Sequence, residues 1–185
     1  MIRQMPIAAA ILTAMLLLSF AACAAAVQVE PPGDAAEVLG PPPNRLEPLQ
    51  VGLDLMEPQT QMLGVGIRVP WTGRDELEFM LPSWRPGRYE ILDPVGTLRE
   101  LTATDDGGRT LPVRKTAKNR WVVSDIRGQP FTVRYRVYAN SIGDRTRHVD
   151  DTHAFISPSS CILALLEDRE RPIMVTANAP AGWRM

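Results

Sequence analysis

Six consecutive residues, His148-Val149-Asp150-Asp151-Thr152-His153, hold both histidines of the chain and two carboxylates. Imidazole and carboxylate are donors that zinc and manganese accept. A separation of five positions, however, points the two rings to opposite faces of a strand and falls off the one-turn register of a helix. No other histidine exists to complete a three-ligand catalytic centre. The expectation is a polar loop, with Asp150, Asp151 and His153 as its functional candidates and no metal. Its carboxylates would pair with Arg145 or Arg147 and cap backbone donors.

Other reactive side chains lack the neighbours that would activate them. Cys161 runs into the apolar Ile162-Leu163-Ala164-Leu165-Leu166, where a cysteine behaves as a small buried hydrophobe rather than a nucleophile. Ser157-Pro158-Ser159-Ser160 offers hydroxyls with no base beside them. Gly64-Val65-Gly66 is a fragment of a glycine pattern inside a strand, and Gly107-Gly108 reads as a turn after Asp105-Asp106. No residue is assigned a catalytic or cofactor-binding role.

The elements that must carry these residues are short and extended. Leu49, Val51, Leu53 and Leu55 alternate with other residues, and so do Leu63, Val65, Ile67 and Val69. Period two buries one face of a strand. Glu57-Pro58-Gln59-Thr60-Gln61 between them predicts a hairpin turn, with proline ending the first strand. Further runs fall at Leu77-Phe79-Leu81, at Trp121-Val122-Val123 and at Phe131-Val133-Tyr135-Val137, whose Thr132, Arg134 and Arg136 would face water. Helical stripes are absent, and 17 prolines interrupt the windows where one would form. The fold class expected is an all-β sandwich of about eight to ten mainly antiparallel strands over residues 49–185.

Ahead of that domain, Arg3, the apolar run Ile7–Phe20 and the small residues Ala21–Ala26 follow the order of a secretory signal peptide, residues 1–26. The run is shorter than a comfortable membrane span. Ala21-Ala22-Cys23 opens a second route, lipidation at Cys23. Either way the chain is expected to be exported, to the periplasm or the extracellular space, with any membrane contact made through the signal peptide or a Cys23 anchor. Residues 27–48 are rich in proline and read as a disordered or semi-rigid tether. In the soluble form cleaved after Ala26, Cys161 would be the only cysteine, which leaves no internal disulfide. Charge is nearly balanced, 20 Lys plus Arg against 21 Asp plus Glu, and scattered. Nucleic acid is therefore not an expected partner.

The stretch Leu81-Pro82-Ser83-Trp84-Arg85-Pro86-Gly87-Arg88-Tyr89-Glu90-Ile91-Leu92-Asp93 resembles the Pro-x-Trp-x-Pro-Gly-x-Tyr-x-Ile-x-Asp signature in the N-terminal domain of the glycyl aminopeptidase family of zinc metallopeptidases, peptidase family M sixty-one. Met56–Gln61, Lys115–Trp121 and the strand Val133–Asn140 running into Arg145–Phe155 agree with it in order. Together they cover roughly residues 49 to 183. The segments Ser141–Asp144 and Ile156–Ser159 depart from the family text. Read on physical grounds, Trp84 and Tyr89 cover an edge of the sandwich at a Pro/Gly corner.

The resemblance implies a domain that precedes a thermolysin-like catalytic domain, where a His-Glu-x-x-His helix and a downstream Glu hold zinc. This sequence contains no His-Glu-x-x-His. Zinc is thus expected only in a catalytic domain outside this chain, with such a domain or a peptide as partner. A stand-alone envelope module that binds peptide or protein by β-augmentation is the alternative.

Overall fold

The structure is a computed structural model that describes residues 47–70, 72–84, 89, 91–143 and 146–184. The signal segment, Cys23, most of the proline-rich tether and Arg145 lie outside the described residues. The chain divides after Val38, and every described residue belongs to the second unit, residues 39–185.

Three sheets build it. The largest runs β13 (Ile173–Asn178), β1 (Leu49–Asp54), β2 (Met62–Val69), β8 (Phe131–Tyr138), β4 (Leu98–Asp105) and β5 (Thr110–Leu111). A second holds β12 (Ala164–Leu165), β3 (Leu77–Met80), β7 (Arg120–Val123) and β6 (Val113–Ala117); a third holds β11 (Ala154–Ile156), β10 (Arg147–Val149) and β9 (Asn140–Ser141). All pairings are antiparallel except β1 with β13. The thirteen described strands exceed the expected eight to ten. The surplus comes from two-residue pieces such as β5, β9 and β12, too short to show a period of two.

Alternation in the sequence becomes alternation of faces. In β1 the buried residues are Leu49, Val51 and Leu53; in β2 they are Leu63, Val65, Ile67 and Val69; in β8 they are Phe131, Val133, Tyr135 and Val137. These side chains meet Leu77 and Phe79 of β3, Trp121 and Val123 of β7, and Leu163 and Leu165 in one core. Phe79 stands edge-on to Phe131 with ring centroids 6.3 Å apart, which joins the two larger sheets directly. Burying a side chain of this size stabilises the fold by roughly 1.5–3 kcal/mol.

Proline shapes the connections. Among the described residues there is no α-helix, and each of three short 3-10 turns begins with one, at Pro58, Pro94 and Pro158. A proline at the first helical position lacks only an N–H that would be unpaired there anyway. Pro58–Thr60 is the predicted turn between β1 and β2. The Asp105–Gly108 turn likewise joins β4 to β5, closed by the Gly108 N–H donating to the Asp105 carbonyl at 3.0 Å, with Gly108 at φ +83°.

On the outer face of the six-stranded sheet, Gly52, Gly64 and Gly66 alternate with the core residues of β1 and β2 and floor a hollow of about 700 Å³ walled by Glu100, Arg134 and Arg136. A Cβ at Gly64 would stand 3.0 Å from Cβ of Asp54, so the two strands leave no room there for a side chain.

Candidate functional site

The His148–His153 segment is a hairpin. β10 and β11 pair antiparallel with His148 opposite Phe155 and Val149 opposite Ala154. At the tip, the Asp150 N–H donates to the His153 carbonyl at 3.0 Å. Oδ1 of Asp150 accepts from the Thr152 N–H at 2.8 Å, the His153 N–H at 2.9 Å and the Thr152 hydroxyl at 2.6 Å. Asp side chains favour turns because they cap the backbone in this way. The expected capping by a carboxylate is therefore present.

The reversal alters the expected geometry of the histidines. A spacing of five separates two rings on one strand, but here the chain folds back between them. The ring centroids of His148 and His153 lie 5.1 Å apart. Nε2 of His148 is 2.9 Å from Oδ2 of Asp150, and Nδ1 of His153 is 3.3 Å from Oδ1. One potential ligand atom from each of the three residues falls within 4.8 Å of the others. The signal that could have shown this is the Asp-x-Thr pattern at Asp150, which favours a turn over a continuous strand.

The three residues differ in access. The His148 side chain is 8% exposed and that of His153 57%. Asp151 is exposed on the turn. Arg147 lies in β10, where its guanidinium donates to the Thr97 hydroxyl at 2.6 Å. The Thr152 hydroxyl, His148 and the backbone N–H groups of His153 and Thr152 hold the Asp150 carboxyl well below the usual carboxylate range. A cleft of about 380 Å³ adjoins the hairpin, lined by Thr152 and His153 together with Leu55, Ile156, Ala177 and Trp183.

The second cluster is the loop between β3 and β4. Its start is fixed by the β6–β7 turn, where the Leu81 N–H donates to the Asn119 carbonyl at 3.0 Å and the Asn119 side-chain amide donates to the Leu81 carbonyl at 2.8 Å. Its far end is held by Lys118, whose ammonium lies 2.7 Å from the Asp93 carboxylate, and by the Leu92 N–H donating to the Ser83 carbonyl at 2.7 Å. The two ends of this loop, Leu81 and Asp93, are thus both tied to the same turn at Lys118 and Asn119. Between the anchors Trp84 is 54% exposed, Tyr89 90% and Ile91 82%. The expectation that Trp84 and Tyr89 cover an edge of the sandwich is corrected: both rings stand largely in solvent.

Cys161 is fully buried, its thiol facing the carbonyls of Ser157 and Pro158 at 3.6 and 3.7 Å. Burial pushes the thiol up to about 11, so it is not a nucleophile at neutral pH. The Ser160 hydroxyl is spent on the carbonyls of Ser157 and Thr146. The donors of a catalytic His-Glu-x-x-His zinc site do not fit this chain: its two histidines lie on a hairpin, not on one face of a helix, and the glutamate is absent.

Comparison with known proteins follows this division. The family model described as the Peptidase M61 N-terminal domain matches residues 50–185. No curated protein matches the chain. Among solved structures, an aminopeptidase N family protein from Idiomarina loihiensis is similar, with a TM-score of 0.67 and 29% identity over 72% of this chain. The chain spans only 22% of that protein's length. With the family's domain model covering all but the first strand's opening residue of the described sandwich, the chain belongs to the Peptidase M61 N-terminal domain family.

Proposed function

We propose that this sandwich is the non-catalytic N-terminal domain of an exported glycyl aminopeptidase-type zinc metallopeptidase. In this reading it flanks and shapes a peptide-binding cleft supplied by a catalytic domain. The observation that carries the reading is the 81–93 loop. A loop anchored at both ends by the β6–β7 turn, yet presenting Trp84, Tyr89 and Ile91 to solvent, is built for contact with something outside the sandwich. The small share of the Idiomarina loihiensis protein that the chain spans agrees with a domain that acts beside a larger one. Export rests on the signal-like order of residues 1–26, with Cys23 as the alternative anchor point.

The test uses a polypeptide carrying this domain together with a catalytic domain of the family. Replacing Trp84 and Tyr89 by Ala should raise KM for a glycyl substrate at least threefold while kcat changes less. Equal KM in the two proteins would contradict a role in the cleft.

One feature favours a second reading, a module that binds extended peptide. β13 ends the six-stranded sheet among the described residues, with Ile173, Met174 and Val175 each about half exposed. Such an edge can accept another strand.

A further inference from the structure

We propose that His148, Asp150 and His153 bind a divalent first-row transition-metal ion of the zinc type. The inference goes beyond the reading above and does not depend on it. A tetrahedral zinc with bonds of about 2.0–2.1 Å holds its ligand atoms roughly 3.3 Å apart. Nε2 of His148 already stands 2.9 Å from Oδ2 of Asp150, and one potential ligand atom from each of the three residues lies within 4.8 Å of the others. A rotation of the exposed His153 side chain would draw the three donors together around an ion.

The parts of the site are divided in a way that suits ligation. Oδ1 of Asp150 is committed to the turn by the two N–H groups and the hydroxyl it accepts, which leaves Oδ2 to face His148. A ligating carboxylate held by such outer hydrogen bonds is aimed before the ion arrives. The Thr152 hydroxyl, which donates to Oδ1, also lies 2.9 Å from Nδ1 of His153 and so ties that ring to the same turn. His148 is 6% exposed on β10, between β9 and β11, so its ring is held by the sheet. Among the described residues its Nδ1 is buried with no hydrogen-bond partner, and Asp150 makes the polar contact to the ring.

The donor set selects the ion. Two imidazoles and one carboxylate suit zinc and its neighbours at the late end of the row, and not calcium or magnesium, which require oxygen. Three protein ligands leave a fourth position for water or a donor from a partner. Ligation through Nε2 puts the His148 proton on Nδ1, where no acceptor waits. Loss of an outer-shell partner typically costs 10–100-fold in affinity, so binding should be weaker than at a fully supported site.

The experiment titrates zinc chloride into the untagged full chain by calorimetry, with cobalt as a spectroscopic probe. His153→Ala is the variant of choice, because that side chain is exposed and its loss spares the core, whereas His148 is buried. Binding of one zinc per chain, weakened at least tenfold by H153A, and a tetrahedral cobalt spectrum that H153A abolishes are the results expected. No zinc binding, or binding that H153A leaves unchanged while its urea unfolding matches the parent, would overturn the site.

Discussion

Tyr135 shows how one polar atom can tie a strand to an irregular segment, here the one leading into β12. It sits in β8 with its ring in the core, yet its hydroxyl donates to the Cys161 carbonyl at 2.8 Å and accepts from the Leu163 N–H at 3.0 Å. Burial pushes the phenol above its ordinary range, so it is a donor at neutral pH. Tyr135→Phe keeps the ring but strands a buried carbonyl and a buried N–H, each costing about 1–3 kcal/mol when unpaired. We expect a loss of about 2–3 kcal/mol in urea unfolding with an unchanged m-value; a loss below about 0.5 kcal/mol would mean that water replaces the phenol. The sequence showed Tyr135 as a core position, because period two makes that legible. Its partners could not be read, since they lie 26 and 28 residues away on a segment with no period of its own.

At the scale of elements, the strands with clear alternation were legible and the pairings between them were not. β1, β2, β3, β7 and β8 fall where apolar residues alternate, since a half-buried strand writes its faces into the sequence. β4 did not declare itself. Its register shifts between Arg99 and Thr102, and Glu100 there takes φ +57°, so the alternation breaks where a bulge sets in. The candidate site failed for a similar reason: the Asp150 turn cancels the strand geometry that spacing alone assumes. That turn also gives an acid dependence. Because the folded-state value of the Asp150 carboxyl is depressed, its contribution is present above the ordinary aspartate range, near pH 4, and fades as pH falls toward the folded value. Amide exchange at Thr152 and His153 should therefore quicken as pH drops below about 4, relative to the core strands. Asp150→Asn should show fast exchange already at pH 7 and lose that step; identical profiles in both proteins would show that the caps are not what closes the turn.

Across the whole molecule, a buried core shared by the two larger sheets carries a surface on which apolar groups gather at the 81–93 loop and along β13. The fold class was legible from period and proline content, and the family from the 81–93 text. The exposure of Trp84 and Tyr89 was not, because aromatic residues beside Pro and Gly have the same composition whether they seal a corner or await a partner. The central claim is that this domain supports catalysis elsewhere and performs none itself. The most direct measurement is an aminopeptidase assay of the purified chain, using glycyl and alanyl chromogenic substrates with added zinc and a chelator control. The account predicts no turnover above the substrate blank even when zinc is bound; chelator-sensitive turnover that Asp150→Asn or His153→Ala removes would contradict it.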